Sequence, residues 1–252
     1  MPRLYGRQLR TKKMNKEQNK DKRSSWTARD VLVLIPTFNE AEVIANTIAA
    51  IPSEFDILVI NNGSTDQTAS IVRQTRAHIV EEHRKGYGQA VYTGILEGIR
   101  QGYRVGVVYD ADAANEPNDI HKVTDPVCTQ EYDLCIAQRT TFAQEGSLTS
   151  VQKFGNRLST FLIKQITGYS FSDMGSMRAF SLQNLKALGL EDRGFGWNIE
   201  MQIKAVRKDW NILELDLPYR RRSGGESKIS GNRRAAVHAG WVILNTALRY
   251  AR

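Results

Sequence analysis

The sequence has few of the residues that cross-link small folds or bind structural metals. Its 252 residues include two cysteines, six prolines and four histidines. Cys128 and Cys135 are too few for a disulfide framework or a four-cysteine zinc site, and the histidines lack metal-ligand spacing. No apolar run approaches the roughly 20 residues of a membrane-spanning helix, and the mean hydropathy is −0.43. These absences exclude a disulfide-rich secreted scaffold and a polytopic membrane protein.

The chain does have an ordinary globular composition, with an uneven distribution of charge. Hydrophobic residues make up 41% and charged residues 25%, which is enough for a substantial core. The formal net charge is +8, and residues 1–23 and 219–252 each have a balance of +7, so residues 24–218 have a balance of −6. A protein that binds nucleic acid over its whole surface is expected to be basic throughout. The distribution indicates instead an anionic surface or ligand that meets the protein at specific places.

Three segments are predicted from the composition. Residues 1–25 are rich in Lys, Arg, Asn and Gln without hydrophobic periodicity, which predicts a disordered basic arm. This arm either tethers the protein to anionic lipid or nucleic acid, or is simply solvated. Residues 26–232 are expected to form one α/β domain, and residues 233–252 an amphipathic C-terminal helix. Because no apolar segment follows the basic residues, a secretory signal is not expected and the protein is predicted to be cytoplasmic.

Apolar runs alternate with helical segments from residue 31 onward. The aliphatic runs at residues 31–35, 57–60 and 105–109 are typical of strands buried on both faces of a parallel sheet. Ser64 followed by Gln67 has the pattern of a capping box, which predicts that a helix begins at Ser64. The β-α-β order predicts a mostly parallel central sheet flanked by helices, with ligands at the carboxyl ends of its strands. Further strands are expected near residues 78–82, 132–137 and 212–217, and helices over residues 40–50, 89–101, 154–167 and 200–207.

Asp110 and Asp112 form the most informative short motif. They follow the predicted strand at residues 105–109, so both carboxylates can face the space above the sheet edge. Paired carboxylates suit Mg²⁺ or Mn²⁺, and such an ion neutralises a diphosphate. A D-x-D pattern alone is often no more than a solvated loop. Its position after a buried strand is what favours a metal site.

Four other polar residues are candidates for phosphate binding or proton transfer. Lys85 begins a Lys-Gly-Tyr-Gly sequence, in which a cation precedes a backbone that a phosphate can approach closely. The glycine spacing is not that of a dinucleotide-binding loop. Asp173 and Arg178 are close in sequence and could act as a base and a phosphate clamp, and Glu200 lies on a predicted helix. Taken singly, each of these carboxylates is more often structural than catalytic.

The order of the motifs resembles that of family 2 glycosyltransferases with a GT-A fold, most closely the dolichol-phosphate mannose synthase-like branch. The resemblance implies a Rossmann-like α/β domain and spans roughly residues 31–231. Each motif alone is loose, but seven in the same order with compatible spacing are specific. They are Ile35 to Glu40, Ile60 to Asp66, Lys85 to Gly88, Asp110 to Asp112, Asp173 to Arg178, Gly196 to Glu200 and Arg222 to Lys228.

The resemblance implies an enzyme that transfers a sugar, with inversion, from a UDP- or GDP-sugar to a polyprenyl phosphate or another lipid-linked acceptor. It implies a Mg²⁺ or Mn²⁺ ion held by Asp110 and Asp112. It also implies that Arg178 and Arg222 contact the diphosphate or the acceptor phosphate. The residues that would bind the nucleotide-sugar are Pro36, Phe38, Glu40, Asn61, Lys85, Asp110, Arg139 and Lys228.

The acceptor determines whether a base is needed. An ionised phosphate oxygen needs little help, whereas a soluble hydroxyl acceptor, the alternative, requires a carboxylate base. Asp173 is the first candidate for this role and Glu200 the second.

Two departures from the family pattern concern the binding of the nucleotide-sugar donor. Asn61-Asn62 stands where Asp-Asp is usual, which can change the preference for one nucleotide base over another. Ala114 stands where Gln is frequent, which removes one possible metal ligand.

Two other functions have less support in the sequence. A nucleotidyltransferase on a similar sheet would be expected to have a basic residue in the first loop, and residues 36–39 contain none. A nucleic-acid-binding module would depend on the basic arm, and it would leave the acidic body without a function of its own.

The C-terminal helix is expected to lie on a membrane surface rather than cross it. Its apolar stretch over residues 235–248 would span roughly 21 Å, less than the roughly 30 Å of a bilayer core. Val237, Trp241, Leu244 and Leu248 have helical spacing on one side, and several arginines precede them. The alternative is that this side packs on the sheet.

Peripheral contact with the cytoplasmic face of an anionic membrane leads to a testable prediction. The intact protein should bind anionic liposomes, and both salt and Trp241→Ala should weaken the binding, because Trp suits the headgroup interface. Co-sedimentation at low and high salt measures the effect. If the intact protein does not bind even at low salt, a cytosolic, water-soluble acceptor is indicated instead.

Overall fold

One seven-stranded sheet organises the residues that the structure describes. The computed structural model describes residues 26–221, 241–242, 245–246 and 248–250. The predicted basic arm and the boundary between residues 232 and 233 therefore lie outside it. The strands are β1 (Val31–Thr37), β2 (Asp56–Asn61), β3 (His78–Glu81), β4 (Val105–Val108), β5 (Leu134–Gln138), β6 (Arg178–Ser181) and β7 (Ile212–Asp216).

The strand order is β3-β2-β1-β4-β6-β5-β7. β1 pairs in parallel with β2 and with β4, and β2 pairs in parallel with β3. β6 is antiparallel to both of its neighbours, β4 and β5, while β5 and β7 are parallel. The prediction of a mostly parallel sheet is confirmed. The carboxyl ends of β1, β2, β3 and β4 consequently lie along one edge.

Helices cover both faces of this sheet. Along β1, Val31, Val33 and Ile35 contribute to one core, while Leu32 and Leu34 contribute to the other. Burial on both faces explains why β1 is a continuous aliphatic run. The helices are α1 (Ile44–Ala50), α2 (Thr68–Val72), α3 (Tyr87–Arg100), α4 (Ile120–Cys128), α5 (Ser150–Thr167), α6 (Leu182–Ala187) and α7 (Trp197–Arg207).

The helix predicted to begin at Ser64 begins instead at Thr68, as α2. The Ser64 hydroxyl oxygen accepts a hydrogen bond from Asn39 N at 2.9 Å, so it ties two loops together rather than capping a helix. Asp66 accepts hydrogen bonds from the backbone and the hydroxyl of Thr68, which places the start of the helix there. The capping-box prediction is therefore wrong, because a contact between loops takes up the hydroxyl.

The described residues of the C-terminal helix pack one side on the body of the protein. Thr246 Oγ1 donates to Asp192 Oδ2 at 3.1 Å, and the Tyr250 hydroxyl donates to Glu200 Oε1 at 2.7 Å. Trp241 and Leu248 are 62% and 66% exposed, so the apolar side faces away from the sheet at these two positions. The other two residues of the predicted apolar side, Val237 and Leu244, lie outside the described residues. Among the described residues, none of the helices is long and apolar enough to cross a membrane.

Candidate active site

A cavity of about 740 Å³ lies at the carboxyl ends of the parallel strands. Such a volume is typical of a site for a small-molecule ligand. The structure brings seven of the predicted site residues to its wall, and their individual roles in binding remain predictions. These residues are Pro36, Phe38, Glu40, Lys85, Asp110, Asp112 and Arg139.

Asp110 and Asp112 occupy the turn that follows β4. The backbone N–H of Tyr109 donates to Leu34 O at 3.0 Å, which extends the pairing with β1 up to the edge of the cavity. Asp112 Oδ1 accepts a hydrogen bond from Ala114 N at 3.1 Å, and the intervening Ala113 has a left-handed φ of 51°. These contacts hold both carboxylates at the cavity wall.

The two carboxylates fit a divalent ion that is bound together with a phosphate ligand. In the part of the chain that the structure describes, no group of three His, Cys, Asp or Glu residues could hold a metal ion by itself. Mg²⁺ commonly takes one or two carboxylates from the protein and completes its coordination with water and substrate phosphates. A pair of aspartates at the wall of a cavity of this size matches that mode of binding.

Arg139 faces the same cavity, and Asp173 holds it in place. Arg139 Nε and Nη2 lie 2.7 Å and 3.0 Å from Asp173 Oδ2 and Oδ1, and the Arg139 backbone N–H also donates to Oδ2. Asp173 is buried and is not part of the cavity wall. Burial raises the pKa of Asp173, but the hydrogen bonds and charge of Arg139 outweigh it and hold the pKa below its usual value. Asp173 is therefore a fixed countercharge and a weak proton acceptor.

Tyr219 is a wall residue that the sequence analysis does not identify. The centroid of its buried ring lies 5.2 Å from the guanidinium carbon of Arg139. Burial, together with the negative charges of Asp112 and Asp110, raises the pKa of Tyr219 to about 12. At neutral pH the phenol is therefore protonated and able to donate a hydrogen bond.

The segment that carries Tyr219 is attached to the loops on both sides of the cavity. Arg220 N donates to Ala114 O at 2.7 Å, next to the aspartate turn, and Gln144 N donates to Tyr219 O at 2.8 Å. These backbone contacts fix the position of the phenol, and only the folded chain brings the three segments together. Arg222 and Lys228, which the sequence analysis assigns to phosphate binding, follow this segment and lie outside the described residues.

The loop around Lys85 is fixed by a buried amide. Asn62 donates to two backbone oxygens of this loop at 3.1 Å and 2.7 Å, and it accepts a hydrogen bond from Gly86 N at 2.8 Å. Gly86 has a φ of +144°, and a Cβ there would lie 2.2 Å from Arg193 O, so glycine is required. Lys85 Nζ lies 5.9 Å from the centroid of the Phe38 ring. The loop thereby carries a cation to the cavity wall.

Asn61 ends β2 beside the cavity, but the wall is formed by Asn62. Asn61 Nδ2 donates to Glu81 Oε2 at 2.6 Å, and its Oδ1 accepts from Ser64 N at 3.2 Å. An aspartate at this position would face the Glu81 carboxylate with a like charge, which explains physically why an amide fits here. Contact between Asn61 and a nucleotide base stays a prediction.

Arg178 lies inside the sheet rather than at the cavity wall. It begins β6 opposite Val108 of β4, and its side chain is fully buried. Its Nη2 donates to the backbone oxygens of Met174 and Gly175. Burial lowers the pKa of Arg178, and the negative charge of Asp110 acts in the opposite direction. Arg178 is therefore not part of the cavity wall, and its contact with a phosphate stays a prediction.

Glu200 supports a neighbouring loop from behind. Its carboxylate accepts hydrogen bonds from the backbone N–H groups of Glu191 and Asp192, at 2.8 Å and 2.6 Å, and from the Tyr250 hydroxyl. Lys204 Nζ lies 2.7 Å from Glu200 Oε1. Burial raises the pKa of Glu200, but these hydrogen bonds outweigh it and lower the pKa overall. The geometry gives Glu200 a structural position, because its oxygens are engaged away from the cavity.

The loop that Glu200 supports brings Asp192 to the cavity wall. Asp192 Oδ1 accepts from Gly194 N at 2.8 Å, and its Oδ2 accepts from Thr246 Oγ1. Val242 also lines the cavity, so the described C-terminal residues close one side of it. Asp192 is not among the site residues predicted from the sequence, although its position shortly before the Gly196 to Glu200 motif is a signal for it.

Comparisons with known proteins identify the family and the fold. Residues 32–189 match the family described as Glycosyl transferase family 2. An uncharacterized glycosyltransferase of Mycobacterium tuberculosis is 32% identical over 209 residues, which cover 83% of this chain and 94% of that protein. The undecaprenyl-phosphate mannosyltransferase of Micrococcus luteus is 30% identical over 217 residues, which cover 80% and 88%.

Among solved structures, glucosyl-3-phosphoglycerate synthase from Mycobacterium tuberculosis has a similar fold. The structure was solved with Mn²⁺, UDP and glucosyl-3-phosphoglycerate, and its TM-score to this chain is 0.68 at 18% sequence identity. The similarity covers 89% of this chain and 85% of that one. It confirms the predicted GT-A-type architecture.

Replacement of Asp173 by Asn should destabilise the protein by roughly 3 kcal/mol at neutral pH, because it leaves the mostly buried Arg139 without its countercharge. The folded-state pKa of Asp173 is depressed. Its stabilising contribution is therefore fully present above the unfolded-state pKa of about 3.9 and is lost as the pH falls through the folded-state value. Urea unfolding at pH 7 and at about pH 3 should show that the difference between wild type and variant shrinks in acid.

Asp125→Asn provides the control for this measurement, because Asp125 is an exposed carboxylate on α4. It should change stability little at either pH. A difference between wild type and Asp173→Asn that stays constant over the pH range would contradict the assignment of Asp173 as an ionised partner of Arg139.

Proposed function

The chain belongs to glycosyl transferase family 2, and from this membership we propose that it transfers a sugar, with inversion, from a UDP- or GDP-sugar to a polyprenyl phosphate or another lipid-linked acceptor. The nucleotide would lie against Pro36 and Phe38, and the diphosphate against Lys85 and the aspartate turn. The acceptor phosphate would approach Arg139. The reaction would take place at the cytoplasmic face of a membrane that the protein contacts peripherally.

The observation that carries this proposal is the pairing of Asp173 with Arg139. Both oxygens of Asp173 bind the guanidinium, and neither Asp173 nor Glu200, the two expected bases, borders the cavity. A hydroxyl acceptor must lose a proton during transfer, whereas a phosphate oxygen is already ionised at neutral pH. A guanidinium fixed at the cavity wall suits a phosphate acceptor.

The fixed polar groups of the wall account for the chemistry that the proposal requires. The acceptor oxygen would attack the anomeric carbon while the bond from that carbon to the diphosphate breaks, so negative charge grows on the diphosphate. Lys85 and Arg139 would stabilise this charge, and the protonated Tyr219 could donate a hydrogen bond to it. Asp110 and Asp112 would hold a Mg²⁺ or Mn²⁺ ion, which supplies Lewis-acid neutralisation of the leaving group.

Exposed apolar side chains around the cavity support a lipid-linked acceptor. Phe38 and Phe195 line the cavity and remain exposed. Val151 and Trp241 are exposed as well, and each is adjacent in sequence to a residue of the wall. Clusters of exposed apolar side chains commonly mark contact sites for a protein or a lipid. The Micrococcus luteus relative, whose name specifies undecaprenyl phosphate, agrees with this acceptor class.

A soluble hydroxyl acceptor is the alternative, and Asp192 is the observation that favours it. Asp192 is a carboxylate of the cavity wall outside the predicted metal pair. Its two oxygens accept hydrogen bonds from Gly194 N and Thr246 Oγ1, and each oxygen has further capacity to accept. Asp192 would have to serve as the base for such an acceptor.

The choice of acceptor can be tested with the full chain, Mn²⁺ and a panel of UDP- and GDP-sugars. Released nucleoside diphosphate is measured with a polyprenyl phosphate, with soluble hydroxyl acceptors, or with no acceptor. We expect nucleoside diphosphate to be released only when polyprenyl phosphate is present. The rate of release in Asp192→Asn should stay within about threefold of the wild-type rate, because an ionised acceptor needs no base. Release with hydroxyl acceptors only, abolished by Asp192→Asn, would establish the alternative.

Asp112→Asn should reduce turnover at least about a hundredfold while leaving the fold intact, because it removes a charged metal ligand but keeps the shape of the side chain. Initial rates at saturating donor and several Mn²⁺ concentrations measure the loss, and circular dichroism checks the fold. Asp125 is an exposed carboxylate that is not part of the cavity wall, so Asp125→Asn should keep wild-type turnover. Unchanged turnover in Asp112→Asn would show that this residue does not hold the metal.

A further inference from the structure

Helix α5 presents its apolar side to solvent. Val151, Phe154, Leu158 and Phe161 follow one another at intervals of three and four residues, so they lie along one face of the helix. Phe154 is 69% exposed and Phe161 is 57% exposed. A surface helix of a soluble domain normally turns such a face towards the core.

The opposite side of α5 packs on the protein through both polar and apolar side chains. Gln152 lines the cavity, and Asn156 Oδ1 accepts a hydrogen bond from Met174 N at 2.8 Å. Ser159 and Ile163 are the residues of α5 that are buried. Ile163 and Ile166 join the core on this inner side, so the outward apolar face is a second apolar face that the core does not cover. A helix of 18 residues with a capping box at Thr149 is a regular element, so the outward face is not a frayed end.

Basic side chains accompany the apolar face. Lys153, Arg157 and Lys164 are exposed, and α5 contains no Asp or Glu. An apolar face beside a row of lysines and arginines is typical of helices that lie in the interface of an anionic lipid bilayer.

Other occupants of this face fit its chemistry less well. The two long segments outside the described residues, 1–25 and 222–240, each have more Lys and Arg than Asp and Glu, so they would bring like charge to the basic side of this face. A second copy of the chain would bring like charges together, because an antiparallel pair of α5 helices places Lys153 of each near Lys164 of the other. An anionic bilayer supplies both the apolar environment and the opposite charge.

We propose that the outward face of α5 is a docking surface for an anionic lipid bilayer, in which Phe154 and Phe161 insert among the lipids. Because Gln152, in the first turn of α5, lines the cavity, docking places the cavity near the headgroup layer. This inference specifies which surface makes the membrane contact of the proposed function, and it rests on that function only for the identity of the acceptor.

The double variant Phe154→Ser and Phe161→Ser tests the docking surface directly. Both side chains are largely exposed, so the fold should persist, and circular dichroism checks this. Binding of the full chain to vesicles of phosphatidylcholine with phosphatidylglycerol should weaken about tenfold or more, because most of the inserted apolar area is lost. The control is Leu96→Ser, an exposed apolar residue of α3, which should bind the vesicles like wild type. Sedimentation velocity is measured on the same proteins without lipid.

Two results would overturn the docking proposal. One is vesicle binding by the double variant equal to that of wild type. The other is a wild-type dimer that binds no vesicles and that the double variant converts to a monomer, because a second copy would then cover the face. Turnover with a short-chain, water-soluble polyprenyl phosphate separates docking from catalysis. This turnover should be the same in the double variant as in wild type. If wild type binds vesicles but shows no turnover with this acceptor, the proposed function is refuted while the docking proposal stands.

Discussion

The ion pair between Arg139 and Asp173 fixes the charge and geometry of one wall of the cavity. A lone arginine in this mostly buried position would turn towards water, but the bidentate contact with a buried carboxylate fixes its planar group at the wall. The same contact engages both oxygens of Asp173 and lowers its pKa, which makes this carboxylate a weak proton acceptor. Tyr219 packs against the guanidinium and lies close to the aspartates of the turn. The cavity thus combines a guanidinium fixed at its wall with two carboxylates at its edge, an arrangement that suits the proposed diphosphate and its metal ion.

The parallel half of the sheet places these groups, and side-chain hydrogen bonds then fix the loops between them. The pairing of β1 with β4 carries the aspartate turn to the edge of the cavity, where Thr47 Oγ1 donates to Ala111 O and Asp112 accepts from Ala114 N. The loop of Lys85 depends on Asn62, and the loop of Asp192 depends on Glu200 and Thr246. The second of these loops is held by residues from the C-terminal end of the chain. Closure of that side of the cavity consequently requires the C-terminal segment.

The sequence predicts the strands of the parallel half of the fold. It does not predict the elements and side-chain positions that depend on tertiary contacts. The strands β1, β2 and β4 are predictable because burial on both faces leaves continuous aliphatic runs. Strand β6 has four residues and begins with a buried arginine, so its pattern does not mark a strand. The sequence shows that Asp173 belongs to a motif, but it does not show that Asp173 pairs with Arg139, because the two residues are 34 positions apart. Tyr219 and Asp192 reach the wall only through contacts between distant segments.

The case of α5 shows why helical periodicity alone does not tell which side of a helix is covered. Apolar residues spaced for a core-facing helix and for a bilayer-facing helix give the same pattern. The distinction comes from the opposite side, where Gln152 and Asn156 make polar contacts with the protein. Because Gln152 and Phe154 are two residues apart, one turn of α5 would touch both the cavity and the bilayer. A polyprenyl chain could then stay in the lipid while its phosphate reaches Arg139, which avoids a cost of about 0.8 kcal/mol for each CH₂ group withdrawn into water.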